Sequence, residues 1–236
     1  MLRSLLLAAA VVAAEPPPEI EVHAAASLRD ALTEIGAAYE KSAGVGVVFN
    51  FAGSNTLAQQ IVASGAGDVF LSADQHWMDE VERSGRILAG TRRTVLANRL
   101  VVIARTDSTV AIARPDDLST ASFRALAMGD PEAVPAGRYA KAVLKGRVWD
   151  AVVARVVPSP DVRAALALVE SDPAIVGIVY RTDAKSSSKV RVLTELPGEA
   201  TYAAAALREG HGRRFVGFLA SPEGRAIFEK HGFLPR

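Results

Sequence analysis

Five places in the 236-residue chain carry groups able to bind a small anion. Four are starts of helix-like segments: Ala26-Ser27, Gly53-Ser54, Pro135-Ala136-Gly137 and Asp161-Val162. The fifth is Tyr180, which ends the apolar run Val176-Gly177-Ile178-Val179. A helix start presents unpaired backbone N–H groups at the positive end of the helix dipole. Small residues there admit a ligand closely, so the chemistry on offer is hydrogen-bond donation to an anion. In Val22–Asp30 a short strand and three small residues lead into a helix. Ser27 reads as its N-cap and Asp30 as a capping-box-like acid. Each position also has a plainer reading. Ser27 serves simply as a cap, Ser54-Asn55-Thr56 as a turn cluster, Gly137 as a relaxed loop, and Tyr180 as the wet end of a core strand. By residue type alone both readings stand.

The elements that must position these residues alternate between strand and helix patterns. Ile20–Ala24 reads as a strand and Ser27–Lys41 as a helix, with Leu28, Leu32, Ile35 and Tyr39 on one face. Val45–Phe51 is a strand, Leu57–Ala63 a helix, and Val69–Ser72 a short buried strand. Asp74 then caps a helix running through Trp77, Met78 and Val81. This βα rhythm predicts a parallel, doubly wound sheet. Arg93–Ala104 is a long apolar stretch suited to crossing between two lobes. A second series follows: strand Ala125–Met128, a helix from Pro135 through Leu144, extended Val153–Val157, a helix capped by Asp161, and strands Ala174–Tyr180 and Val190–Leu193. Tyr202–Leu207 returns to the first lobe, and helices Arg213–Ala220 and Glu223–Lys230 close the chain, with Pro222 at a tolerated early position. The expected fold is α/β, two doubly wound lobes joined by crossing strands. Lobe 1 takes residues 15–97 and 201–236, and lobe 2 takes residues 98–200. Ligands of such sheets sit outside the carboxyl ends of the strands, where helices begin.

Composition narrows the class. Half the residues are hydrophobic, enough for a sizeable core, and a net charge of +1 with both signs interspersed argues against a nucleic-acid surface. The chain has no cysteine, which excludes disulfides and thiolate metal sites. Arg3 followed by the apolar run Leu5–Ala14, then Glu15-Pro16-Pro17-Pro18, describes a secretory signal peptide over residues 1–14. The run is too short for an ordinary transmembrane helix, so the mature chain is expected to be exported.

Several longer blocks carry a family resemblance. They include Ala24-Ala25-Ala26-Ser27-Leu28, the segment Phe51–Ile61 with its Gly53-Ser54-Asn55-Thr56 core, and Asp68–Asp74. Further along come Gly129–Ala140, Asp161–Glu170, Gly177-Ile178-Val179-Tyr180 and the ending Ile227–Phe233. Together, in this order, they resemble the periplasmic molybdate-binding proteins of ABC importers, and the resemblance spans essentially the whole mature chain. It implies a type II periplasmic binding fold with an oxyanion between the lobes. It also implies hydroxyl donors at Ser27, Ser54 and Tyr180, and backbone N–H donors at Ser27, Ser54, Ala136 and Val162. Any molybdenum would be met only through its oxygens, with no further cofactor. The implied partners are molybdate or tungstate and an inner-membrane ABC permease, and the implied state is a periplasmic monomer. A tetrahedral dianion offers only acceptors, so neutral donors at helix starts suit it and leave it releasable. A smaller anion such as sulfate would leave some donors unsatisfied. Two departures stand out. Asn55 occupies a place where a third hydroxyl residue often follows Ser54, and His23 a place usually aromatic or apolar. His23 reads best as a strand residue packed beneath the site. Arg138 reads as a solvated helix-face residue or an aid to anion capture.

Other classes find less support. Ser27 and His23 could be imagined in a serine hydrolase, but Gly-x-Ser-x-Gly is absent around Ser27 and Ser54. The four histidines, His23, His76, His211 and His231, lack metal-ligand spacing. The expectation is a binding protein and not an enzyme, with another oxyanion (sulfate, phosphate) or a small organic anion as the alternative ligand.

Overall fold

The computed structural model describes residues 18–236, so the expected signal peptide lies outside the described residues. The chain opens with β1 (Glu19–Ala25), a single 3-10 turn over Ala26–Leu28, and α1 (Arg29–Ala43). Then come β2 (Gly46–Ala52), α2 (Ser54–Ser64), β3 (Val69–Ser72), α3 (Gln75–Arg83) and β4 (Arg93–Asn98). The middle of the chain supplies β5 (Leu100–Arg105), β6 (Ala125–Gly129), α4 (Pro135–Leu144), α5 (Arg147–Val152), β7 (Val156–Ser159) and α6 (Val162–Ser171). It continues through β8 (Ile175–Tyr180), α7 (Arg181–Lys185) and β9 (Val190–Glu195). The end holds β10 (Ala200–Ala206), α8 (His211–Leu219), α9 (Pro222–Lys230) and β11 (Leu234–Pro235).

The strands form two sheets, ordered β11-β4-β10-β3-β1-β2 and β7-β6-β8-β5-β9. This is the expected two-lobed α/β architecture. β1 runs parallel to β2 and β3, and β6 runs parallel to β7 and β8. The sheets are nevertheless mixed, which corrects the expectation of purely parallel ones. β10 is antiparallel to β3 and β4, and β5 is antiparallel to β8 and β9. The reason is that β4 runs into β5 through Arg99 alone, and no helical crossover imposes a parallel direction on a strand arriving from the other sheet. The segment expected to cross between lobes, Arg93–Ala104, is two strands, β4 and β5, one in each sheet. α5 occupies residues that the sequence reading left unassigned, and the expected strand start at Val153 is a 3-10 turn.

The helices bury the stripes that their spacing demands. α1 turns Ala31, Leu32, Ile35 and Tyr39 inward and ends at Gly44, whose φ of 65° only glycine adopts at low cost. Tyr39 meets the buried ring of Phe215 on α8 edge-on, centroids 5.0 Å apart. β3 is buried along its whole length. β10 is alanine-rich, and a cluster of Leu57, Ile61, Phe70, Met78 and Val81 packs against its Ala203 and Ala205. Small residues there let α2 and α3 pack close to the sheet.

Candidate anion-binding site

Six chain segments converge on one small chamber between the two sheets. Its wall contains Ala25, Ala26 and Ser27 after β1, Ala52, Gly53 and Ser54 after β2, and Ala73 after β3. From the other side come Val134, Pro135 and Ala136 at the start of α4, Asp161 and Val162 at the start of α6, and Tyr180 at the end of β8. The structure thus brings Ser27, Ser54, Ala136, Val162 and Tyr180 together. The chamber is narrow, with about 10 Å³ of free volume, far below the roughly 300–1,000 Å³ of pockets for larger organic ligands. A wider cleft of about 320 Å³ lies beside it and shares Ser27. That cleft is lined by Asp30, Arg163, Lys185 and Lys230, and its Arg163 and Lys230 are paired with Asp30 and Glu34. The smaller chamber is the better mould for a desolvated anion.

Local sequence explains why donors collect there. Pro135 is the first residue of α4 and has no N–H, so Ala136 supplies the first one. In α6, Asp161 accepts the N–H groups of Arg163 at 2.8 Å and Ala164 at 2.9 Å, leaving that of Val162 uncapped at the wall. α2 starts at Ser54 after Gly53, which has no side chain with which to cap it. Ser54 Oγ accepts the N–H of Ala73 at 3.0 Å, and a serine hydroxyl so engaged still has its own proton to donate. Three α-helical N-termini and one 3-10 turn therefore face a space whose only charged wall residue is Asp161, itself occupied in capping. Dipoles of this kind stabilise an anion most strongly where water is excluded.

Two expectations about Ser27 and Asp30 are corrected. Ser27 is not an N-cap: it lies inside the 3-10 turn, and no side chain caps either that turn or α1. Its Oγ lies 3.1 Å from Tyr202 Oη instead. Asp30 closes no capping box; it reaches Arg163 at 2.6 Å across the cleft. The tight turn after three alanines prevents the extended backbone that an N-cap needs.

Tyr180 is 1% exposed, and its hydroxyl makes no well-formed hydrogen bond to protein; its phenol neighbour is Tyr202, ring centroids 5.6 Å apart. Burial raises its pKa well above the usual phenol range, so it remains a donor. His23 is not part of the wall. It is buried, its Nδ1 is 3.0 Å from Asn50 Nδ2, and desolvation lowers its pKa. Arg138 is more than a solvated face: Nε sits 3.7 Å from Oδ2 of Asp74, whose pKa burial raises. Asp74 caps α3, accepting the Trp77 N–H at 3.0 Å. Sequence reasoning missed the cross-cleft contacts altogether. Trp77 Nε1 donates to Ala133 O at 2.7 Å, and Arg163 joins Asp30 to the fully buried Asp183, whose Oδ1 is 2.6 Å from Nε. Nothing in local spacing links these partners. Tyr202 had one weak signal, a lone large residue in an alanine run.

Known proteins place this architecture. The family model for bacterial extracellular solute-binding proteins matches residues 20–234. A protein named molybdate-binding protein ModA from Escherichia coli strain K12 is 42% identical over 229 residues, covering 91% of this chain and 88% of that protein. A protein of the same name from Haemophilus influenzae is 36% identical, covering 91% of this chain and 89% of its own. The periplasmic molybdate-binding protein of Azotobacter vinelandii superposes with a TM-score of 0.81 over 91% of this chain and 98% of that chain. At 21% identity, that likeness speaks for the fold alone.

Proposed function

Because the chain belongs to the bacterial extracellular solute-binding proteins, we propose that it captures molybdate in the chamber between its lobes and delivers it to the permease of an ABC importer. The observation that carries this reading is the chamber itself: hydrogen-bond donors from both lobes around a small space with no Lys or Arg in its wall. The relatives named for molybdate, at up to 42% identity among those compared, support the choice of anion. Ser27 and Ser54 contribute hydroxyls from one lobe, and Tyr180 contributes its phenol from the other. Backbone N–H groups of Ser27, Ser54, Ala136 and Val162 complete the set. The metal is reached only through its oxygens.

Ligand favours closure only if it contacts both lobes, and this donor set does. Neutral donors hold the dianion without an ion pair that must be broken at release. Tungstate is close to molybdate in size and binds too. Sulfate is smaller and leaves donors unsatisfied at roughly 1–3 kcal/mol each. The protein works in the periplasm as a monomer after loss of residues 1–14, and it captures and delivers without catalysis.

Thermal unfolding of the chain from Glu15, with molybdate, tungstate, sulfate or phosphate at equal ionic strength, tests this. Ligand at about a hundred times its Kd adds roughly 2.7 kcal/mol, a rise in Tm of about 5–10 °C for a chain of this size. A rise with molybdate and tungstate alone is expected. A rise with sulfate or phosphate instead would overturn the choice of anion, and no shift with any of them would overturn the oxyanion reading.

A further inference from the structure

The Ser27 hydroxyl belongs to a buried relay whose proton directions can be deduced. Asn98 ends β4, at the crossing between sheets, and its Oδ1 accepts the N–H of Arg99 at 2.9 Å. A backbone N–H can only donate, so the amide is oriented with Nδ2 on the other side. Nδ2 donates to Thr182 Oγ1 at 2.9 Å and to the hydroxyl of Tyr202 at 3.5 Å. Tyr202 on β10 is fully buried. Asn98 Nδ2 has no lone pair to offer, and although the Tyr180 phenol also stands beside Tyr202, Ser27 Oγ at 3.1 Å is the acceptor with good hydrogen-bond geometry for the phenolic proton. Ser27 Oγ is thereby an acceptor toward Tyr202, and its own proton turns elsewhere. The chamber wall is where Ser27 also stands.

We propose that Tyr202, aligned by Asn98, is a positioning residue that fixes the Ser27 hydroxyl as a donor to the bound oxyanion. The proposal rests on the oxyanion reading of the chamber. Without the relay, Ser27 spends part of its time donating to a neighbour, with its lone pairs facing the anion. With it, the hydroxyl is held in the one orientation an all-acceptor ligand accepts, and the cost of ordering it is met during folding instead of at binding. The relay mirrors Ser54, where the Ala73 N–H occupies the hydroxyl oxygen in the same manner. Both serines are thus set as donors by groups outside the chamber's ligand contacts. Thr182 and Asn98 stand on opposite sides of the lobe crossing, so the orientation of Ser27 is tied to the hinge itself.

A double-mutant cycle with sodium molybdate, read by calorimetry on the chain from Glu15, tests the relay. Tyr202→Phe keeps the ring and removes the hydroxyl, and should weaken molybdate about tenfold, the loss of one well-placed hydrogen bond. Ser27→Ala should weaken it at least as much. The deciding variant is the double one. It should bind within about twofold of Ser27→Ala alone, because Tyr202 acts only through Ser27. If the two losses multiply, Tyr202 acts by packing at the hinge and the proposal is overturned, while the oxyanion reading stands. If Ser27→Ala binds like the parent, the oxyanion role of Ser27 falls and the relay falls with it. Asn98→Ala, which leaves the Tyr202 ring in place, is the second variant should Tyr202→Phe not fold. Its loss should likewise vanish in the Ser27→Ala background, and persistence of that loss would overturn the proposal.

Discussion

At Asp183 burial and charge oppose each other. Its carboxylate is fully buried beside the Arg163 guanidinium, yet desolvation prevails and its pKa is pushed from 3.8 up to about 6. A carboxyl whose folded-state pKa exceeds its unfolded one binds its proton more tightly when folded. Its contribution to stability is therefore largest below the unfolded pKa and declines as pH rises from 3.8 to about 6. Asp183→Asn stays neutral, so the unfolding free energy of the parent minus that of the variant should fall over that window and level off above it. Parallel curves from chemical denaturation at several pH values would contradict this. At Ser54 the expectation concerns binding. Removing its hydroxyl deletes the proposed donor to the anion and strands the Ala73 N–H, so Ser54→Ala should weaken molybdate by roughly 1–3 kcal/mol. An unchanged isotherm would remove Ser54 from the site.

Two glycines test how helix starts are placed. A Cβ on Gly137 would run into the carbonyl oxygens of Gly129 and Asp130, in the same lobe. Gly137→Ala must therefore push the start of α4 away from the end of β6, lowering Tm without ligand and displacing the Ala136 N–H. A Cβ on Gly53 would lie 2.5 Å from the carbonyl oxygen of Pro160, on the opposite wall of the cleft, and 2.5 Å from the movable Asn55 side chain. Gly53→Ala should leave the Tm of the ligand-free chain nearly unchanged while abolishing most of the rise caused by molybdate. Equal losses in both variants, with and without ligand, would show that the lobes do not approach at Gly53.

The whole molecule is drawn together by bonds between its lobes. Trp77 to Ala133, Arg163 to Asp30 and Arg138 to Asp74 all cross the cleft. The chain has two tryptophans, Trp77 and Trp149, and only Trp77 makes such a bond. Molybdate should therefore change tryptophan fluorescence through Trp77, and Trp77→Phe should remove the change and speed release, at a cost of about 1 kcal/mol in affinity. A full signal surviving in Trp77→Phe would place the reporting motion at Trp149 and separate it from cleft closure.

The sequence by itself determined the fold class. Strand and helix spacing are local, and the alternation of Val69–Ser72, the α3 stripe at Trp77, Met78 and Val81, and the caps at Asp74 and Asp161 can be read within a few residues. It also pointed to Ser27, Ser54, Ala136, Val162 and Tyr180, through helix starts, a strand-ending phenol and a family resemblance, while residue type alone left a capping or core role equally open. Tertiary structure decided what those residues meet. Ser27 looked like a cap, but its neighbour is Tyr202, 175 residues away. Arg163 carries no signal in its spacing, but it bridges Asp30 and Asp183. The antiparallel entry of β5 likewise follows from where the first sheet ends. Hydrogen-bond direction, burial and charge pairing are properties of neighbours in space, and chain spacing carries no record of which distant residue the folded sheets will set beside a given one.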